Sequence, residues 1–154
     1  MPIRKRLIER SGPSAAPAWA DVEQLAQVEV TSEAPGYPID SALVEDSGPG
    51  WRAARPGEQL LRLRFDTPQH IRLIRVVFVD ADQERVQEFT LRWSSDHGGG
   101  EIVRQQFAFT PSGATREVEE YAVDLPGVTD LELHLIPDMS RRPVVATLAE
   151  FRIR

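Results

Sequence analysis

The sequence contains no cysteine, and only one of its 18 basic residues, Lys5, is a lysine. The absence of cysteine excludes disulfides, thiolate nucleophiles and zinc–thiolate sites. No apolar run approaches the roughly 20 residues of a membrane-spanning helix. The basic segment MPIRKRLIER is also not followed by the apolar stretch of a signal peptide. We therefore expect a cytoplasmic protein without a membrane span.

Basic charge is scarce beyond the first residues. The chain has 24 acidic and 18 basic residues; four of the basic residues and one acid lie in residues 1–10, so residues 11–154 carry a net charge of −9. Broad binding to DNA or to anionic membranes needs a dominant cationic face. Nucleic acid is therefore not an expected partner.

Length and composition predict one domain preceded by a short arm. The 154 residues, 41% of them hydrophobic, suffice for a single core. Gly12, Pro13 and Pro17 lie among serines and alanines and bring too little apolar surface to pack alone. We predict a flexible basic arm and linker over residues 1–18, which trypsin cuts before the domain at 19–154.

Short alternations of apolar and polar residues follow one another from Val22 to the C-terminus. The clearest covers 88–94, where Phe89, Leu91 and Trp93 share one face and are expected in the core. Comparable segments predict strands at about 24–32, 58–66, 70–79, 86–95, 101–109, 116–125, 128–136 and 145–154. Helix is confined to a turn near 21–24. The pattern indicates an all-β protein with antiparallel sheets packed face to face.

No residue pattern indicates catalysis. His70, His97 and His134 have no second histidine or cysteine at ligand spacing, and no nucleophile motif is present. A strand follows Gly98–Gly100, so these glycines favour a hairpin turn over a phosphate-binding loop, which needs a helix behind it. The acidic segment 117–120 is interpreted as a solvated sheet edge. The chain is not expected to be an enzyme.

The segment 33–57 has no periodicity and contains four prolines and four glycines. A loop of this length inside a domain is usually functional or anchored to the body. Trp51 near its end either anchors the loop or stacks on a ligand. Trp19 and Tyr37, which lie in irregular segments, are the aromatic residues expected to be most exposed.

Five segments, in this order, resemble one known family: VEVTSE (28–33), SALVEDSGPGW (41–51), LLRLRFDTPQHIRLIRVVF (60–78), QEFTLRWSSDHG (87–98) and ATLAEFRIR (146–154). They are similar to the discoidin family, also called coagulation factor 5/8 type C, which has a galactose-binding-like fold. The resemblance implies an eight-stranded antiparallel jelly-roll β-sandwich. It also implies a non-catalytic module that binds a carbohydrate or another polar or anionic ligand.

A second, local resemblance leaves another interpretation open. The segment WRAARPGEQ (51–59), together with IRLIRV (71–76), is similar to the N-terminal domain of the X-ray repair cross-complementing type of scaffold protein in single-strand-break repair. On this interpretation the chain is a scaffold module that binds a protein partner in a DNA-repair setting.

In the sugar-binding members of the discoidin family, three loops meet at one end of the sandwich. Carried onto this chain, these loops are Arg52–Arg55, Asp80–Arg85 and Asp138–Arg142. The implied ligand-binding residues are Arg52, Arg55, Asp80, Asp82, Gln83, Arg85, Asp138, Arg141 and Arg142.

The content of these loops suggests the chemistry of the ligand. Guanidinium and carboxylate groups bind hydroxyls, carboxylates or phosphates through paired hydrogen bonds. The five arginines, and the lack of an aromatic residue other than Trp51, favour an acidic sugar, a phosphate-bearing ligand or an acidic protein segment over a neutral sugar. The alternative is that these arginines and aspartates pair with one another as surface salt bridges.

The resemblance also implies a structural calcium ion, which many carbohydrate-binding relatives hold beside the loop that ends in the tryptophan. Glu45, Asp46 and Glu150 are the candidate ligands, because calcium binds several carboxylate and backbone oxygens. The sequence Val44-Glu45-Asp46-Ser47 stands where the family has Asp-Gly. No other cofactor is expected.

Overall fold

Most of the regular structure is antiparallel β-sheet. The computed structural model describes residues 3–4 and 18–154. In chain order, the elements are α1 (Val22–Leu25), β1 (Ala26–Val30), α2 (Asp40–Leu43), β2 (Trp51–Arg52), β3 (Gln59–Val79), β4 (Arg85–Ser95), β5 (Gly98–Phe109), β6 (Arg116–Ile136), β7 (Thr147–Leu148) and β8 (Glu150–Ile153). Most of the arm predicted at 1–18 lies outside the described residues. Neither of the helices in the described part of the chain has the length and apolar character that crossing a bilayer requires.

Two long strands, β3 and β6, carry the chain from one sheet layer to the other. The N-terminal half of β3 pairs with the C-terminal half of β6. In this first layer β1 pairs with β3, β4 pairs with β6, and β5 pairs with β4. The other halves of β3 and β6 pair beside β8 and form the second layer. Between Arg64 and Leu73 the β3–β6 register shifts three times. Such bulges bend strands, and here they mark the passage between the layers.

The core lies between the two layers. From the first layer, Leu63, Phe89 and Leu133 are fully buried, and from the second, Phe78 and Phe151. The rings of Phe78 and Phe89 lie 5.2 Å apart, which brings the layers into direct contact. Leu63, Phe89, Leu133 and Phe151 alternate along their strands with polar residues, as the period-two pattern predicts. Phe78 instead lies between Val77 and Val79 in a continuous apolar run. The predicted all-β antiparallel sandwich is confirmed.

The predicted strand boundaries were partly wrong. Segments 58–66 and 70–79 are one strand, as are 116–125 and 128–136, whereas 145–154 is divided into β7 and β8. Pro68 and Pro126 fall between the segments that were predicted as separate strands. Each lies at a register shift where no residue pair is formed, a position at which a strand tolerates proline. The helix α2 and the strand β2 inside the loop 33–57 were not predicted.

Trp93 is half-buried, which corrects its assignment to the fully buried core. It lies near the hairpin end of β4, where its neighbour on β5 is Gly100, a residue with no side chain to cover the indole. Phe89, four residues earlier on the same face of β4, is 0% exposed.

We expect Phe89→Ala to lower the free energy of unfolding by about 3–5 kcal/mol, because it empties a closed site in the core. Trp93→Ala should cost about 1–2 kcal/mol, since much of the indole area already contacts water. Urea denaturation of both variants measures the difference. Equal losses would mean that Trp93 is enclosed like Phe89.

The long loop 33–57 is anchored to the body through Trp51. This side chain is 3% exposed, and its Nε1 donates a hydrogen bond of 2.9 Å to the carbonyl oxygen of Ser32. Gly50 precedes it with φ of 99°, and a Cβ there would lie 2.8 Å from the carbonyl oxygen of Leu148. Of the two roles predicted for Trp51, the anchor is therefore the one that the contacts support.

Candidate functional site

A small ribbon at one end of the sandwich brings Tyr37 beside Arg52. In this ribbon β2 pairs with β7, with Arg52 opposite Thr147. A turn at Pro35-Gly36, with Gly36 at φ of 84°, reverses the loop so that Ala34 bridges to Tyr37. The backbone N–H of Arg52 then donates to the Tyr37 carbonyl at 3.3 Å. Proline followed by glycine suits a tight turn that needs a positive φ.

A cleft of about 230 Å³ opens between this ribbon and the loop that follows β3. Trp51, Val79 and Ala149 contribute apolar lining, while Tyr37, Arg52, Asp80 and Asp82 contribute polar groups. A concave site that combines apolar lining with a few converging polar groups is typical of small-ligand binding.

The guanidinium of Arg52 lies in the cleft, and its N–H donors have no acceptor among the described residues. Its carbon Cζ lies 4.8 Å from the centre of the Tyr37 ring, a cation–π arrangement. Its Nε is buried and has no hydrogen-bond partner among the described residues, which is unfavourable for a donor. Because this atom is closed to solvent, the donors that a ligand in the cleft can reach are the terminal Nη groups. These also form no hydrogen bond within residues 3–4 and 18–154.

Asp80 shapes the loop 80–85 from inside. Its Oδ1 accepts the backbone N–H groups of Asp82 and Gln83 at 3.0 and 3.1 Å, and its Oδ2 accepts Gln83 Nε2 and Arg85 Nε at 2.9 and 2.8 Å. Burial raises the pKa of this carboxyl, but the hydrogen bonds from Asp82, Arg85 and Gln83 outweigh it and hold the pKa below its usual value. Asp80 is thus already saturated, whereas the Asp82 side chain beside it is exposed.

Arg85 was predicted to contact ligand, and this prediction is wrong. The residue is 1% exposed and forms an ion pair with Asp80 at 2.8 Å. Its Nη1 donates to Gln87 Oε1 and to the Pro137 carbonyl, its Nη2 donates to Thr147 Oγ1, and its guanidinium lies 4.5 Å from the centre of the Phe109 ring. The guanidinium therefore joins β4, β7 and the end of β6 beneath the cleft.

The predicted loop Asp138–Arg142 lies around a different pocket. Asp138 is 3% exposed and forms an ion pair with Arg142 at 3.0 Å, and Arg141 pairs with Glu58 at 2.6 Å. The Arg142 guanidinium, together with backbone N–H donors, lowers the pKa of Asp138 to about 2 despite its burial. These three residues and Glu58 line a pocket of about 240 Å³.

The two remaining predicted residues, Gln83 and Arg55, differ in whether their side chains already have partners within the protein. Gln83 is occupied between Asp80 and the backbone of Val145. Arg55 is exposed, and its side chain forms no hydrogen bond or ion pair within residues 3–4 and 18–154. Arg52, Asp80 and Asp82 are therefore the predicted residues that meet in the cleft.

The five arginines do not form one anion-binding cluster. Arg141 and Arg142, both exposed, pair with Glu58 and Asp138, as the alternative interpretation had it. Arg85 is also paired, but its ion pair with Asp80 is buried and not a surface salt bridge. The preference for an acidic ligand, which rested on five available guanidiniums, thereby loses its basis.

Tyr37 is the residue of the cleft that the sequence interpretation missed. It was recognised as an aromatic residue in an irregular segment but not connected to the site. The signal was the Pro35-Gly36 turn, which predicts that the chain reverses just before Tyr37. What the turn packs against could not be read from this segment.

The expected calcium ligands are not assembled. No group of three acidic or histidine side chains that could share a metal ion occurs among the residues described. Glu45 and Asp46 are exposed. Glu150 faces Arg75, with an Nε–Oε2 distance of 3.4 Å, because the two residues lie on neighbouring strands of the second layer. Glu150 shares this arginine with Glu120, whose carboxylate lies 2.7 Å from Arg75 Nη1.

Comparisons with known proteins identify the fold. No family model and no curated protein matches the sequence. The family 32 carbohydrate-binding module of NanJ from Clostridium perfringens, solved with galactose, is 12% identical, with a TM-score of 0.62 over 88% of this chain and 96% of that one. A pectin-binding carbohydrate-binding module is 17% identical, with a TM-score of 0.58 over 85% and 91% of the two chains. The corresponding module of AlyQ, solved with 4,5-unsaturated mannuronic acid, is 15% identical, with a TM-score of 0.55 over 90% and 98%.

These similarities extend over nearly the full length of each module and over most of this chain. The chain has the galactose-binding-like β-sandwich fold that its sequence resemblance implies.

Proposed function

We propose that the protein is a non-catalytic carbohydrate-binding module whose ligand occupies the cleft between Tyr37, Arg52 and Asp82. The observation that carries the proposal is the Arg52 guanidinium, held over Tyr37 in the cleft with terminal Nη donors that no described residue accepts. The modules of the same fold that were solved with galactose and with a mannuronic acid derivative support a sugar as the ligand.

The polar groups of the cleft fit a neutral sugar. Arg52 offers donors only, and Asp82 in its ionised form accepts only. Because a hydroxyl group both donates and accepts, a sugar with neighbouring hydroxyls satisfies both side chains at once. A carboxylate on the ligand would pair with Arg52 but would meet the like charge of Asp82. The Asp80 carboxylate adds no net charge, since Arg85 balances it.

The apolar lining complements this arrangement. Val79 and Ala149 meet the C–H groups of a sugar ring, and Tyr37 supplies an aromatic wall. We found no aromatic residue of this kind in the three predicted loops, and its presence makes a neutral ring fit better than the sequence suggested.

Arg52→Ala is expected to weaken sugar binding at least tenfold, because a hydrogen bond to a charged group contributes about 1.5–3 kcal/mol. A glycan array identifies the sugars that bind, and isothermal titration calorimetry with galactose as the first probe gives the affinity. Arg116→Ala, an exposed arginine on β6, is the matched control and should bind like the unmodified protein.

Two results would contradict the proposal. One is unchanged sugar affinity in Arg52→Ala. The other is an array without hits, combined with a specific protein retained from a pull-down, which would favour the scaffold interpretation.

A further inference from the structure

A second pocket lies at the same end of the sandwich as the cleft. It has a volume of about 240 Å³, close to the 230 Å³ of the cleft. Three prolines, Pro56, Pro137 and Pro143, line it together with Ile136, and the charged pair Arg141–Glu58 lies at its edge. Apolar walls with a few polar groups at the rim are again the composition of a ligand pocket.

One continuous stretch of backbone connects the two pockets. Arg52 belongs to the cleft and Pro56 to the second pocket, so three residues lie between them and the two are at most about 14 Å apart along the chain. The segment from Pro143 to Ala149 runs antiparallel to this stretch. Two hydrogen bonds join the segments, from Ala53 N–H to the Ala146 carbonyl and from Gly57 N–H to the Val144 carbonyl.

The loop 80–85 also extends from the cleft to the second pocket. Asp80 and Asp82 line the cleft, while the Glu84 carbonyl accepts a hydrogen bond from the Arg142 side chain at the second pocket. Arg55 lies in the segment that connects the pockets; it is exposed, and its guanidinium pairs with no described residue. A chain of sugars that spans the two pockets has this donor available along the same segment.

The second pocket is also suited to a sugar ring. A pyranose has C–H faces and a hydroxyl edge, and proline rings offer rigid apolar surfaces for such faces. Arg141 and Glu58 provide a donor and an acceptor for the hydroxyls at the rim. A free anion would compete with the Glu58 carboxylate for Arg141, which makes a neutral ring the better occupant.

We infer that the second pocket is a subsite for another ring of the same ligand, so that the protein binds an oligosaccharide chain and not only a single terminal sugar. This inference rests on the proposed function of the cleft. Binding of a second linked ring is intramolecular once the first is bound, so its contribution appears as a gain in affinity with chain length.

The test compares galactose with β-1,4-linked galactobiose, galactotriose and galactotetraose by isothermal titration calorimetry. For the unmodified protein we expect the affinity to rise about tenfold from galactose to the tetraose, the equivalent of 1.4 kcal/mol. Arg141→Gly should leave galactose affinity within about twofold and remove most of that gain. Glycine suits this position, because Arg141 has φ of 63°.

Asp46→Gly is the matched control. Asp46 is the other described non-glycine residue with positive φ, at 56°, and it lines neither pocket. It should bind the whole series like the unmodified protein. Arg52→Ala should weaken every member of the series by a similar factor, since each uses the cleft.

The possible failures are separable. If galactose binds and Arg52→Ala abolishes this, but affinity does not rise with chain length, the second subsite is excluded and the cleft stands. A length-dependent gain that survives in Arg141→Gly likewise excludes it. If no member of the series binds the unmodified protein, both the neutral-sugar cleft and the extended site are refuted.

Discussion

Replacing Arg85 by alanine should destabilise the protein by about 3–5 kcal/mol, the loss typical of breaking a buried ion pair from one side. The substitution leaves the Asp80 carboxylate, 6% exposed, without its counter-charge. It also leaves the oxygen atoms of Gln87, Pro137 and Thr147 without the donors that the guanidinium provides.

Urea denaturation at pH 7 gives the free energies of unfolding. The comparison requires that the dependence of this free energy on urea concentration is similar in each variant. Arg116→Ala, which removes an exposed arginine, should change stability by less than about 0.5 kcal/mol. The double variant Asp80→Asn with Arg85→Met should recover part of the loss, because neither charge is then left buried alone. A loss below about 1 kcal/mol in Arg85→Ala would mean that its guanidinium reaches water.

Glu117→Gln should stabilise the protein at alkaline pH, by up to about 3 kcal/mol at pH 8. Glu117 is 1% exposed, its Oε2 has no hydrogen-bond partner, and its Oε1 accepts Gln87 Nε2 at 3.2 Å. Burial and the neighbouring Glu119 raise the pKa of this carboxyl from 4.5 to about 7. A glutamine at this place keeps the hydrogen bond to Gln87 without the charge.

The direction follows from proton binding. Between pH 4.5 and 7 the folded state holds the Glu117 proton that the unfolded state has released, so stability falls as the pH rises through this range. In Glu117→Gln this fall is absent, and the two proteins should be equally stable near pH 4. Urea melts from pH 4 to 8 measure the difference, with Glu23→Gln on the exposed face of α1 as the control. A parallel pH dependence in Glu117→Gln and the unmodified protein would refute the buried position of the carboxylate.

The buried Glu117 also corrects the interpretation of residues 117–120 as a solvated sheet edge. Glu120 lies on the opposite, exposed face. Alternation along the strand could not show that the other face is covered at Glu117, because the cover comes from β4, about 30 residues earlier in the chain.

The fold followed from local pattern, whereas the pairing did not. Alternation such as Phe89-Thr90-Leu91 predicts a one-sided strand wherever it occurs. That β3 continues through Pro68 into the other layer depends on bulges opposite β6, and these are set by contacts between distant segments. The same limit explains why two predicted strands became one.

Two of the three predicted loops contribute residues to the cleft. The roles of some arginines in the predicted loops were assigned wrongly, for a physical reason. An arginine that binds a ligand and one that is buried in an ion pair are the same letter in a sequence. For Arg85 a signal was present: it lies in register with Gln87 and Phe89, so alternation alone places it on the inner face of β4. For Arg141 and Arg142 the partners, Glu58 and Asp138, emerge only from the folded loops.

A titration of the ¹⁵N-labelled protein with galactose, followed by heteronuclear NMR, tests the central claim most directly. The account predicts shifts that increase with galactose concentration in the backbone amides of Tyr37, Arg52 and Asp82, with the amides of the distant hairpin Gly98–Gly100 unchanged. The side-chain Nε–H signal of Arg52 should also shift, because the Nη groups of the same guanidinium bind the sugar. Shifts centred on Gly98–Gly100, or an Arg52 signal that stays in place while galactose binds, would contradict it.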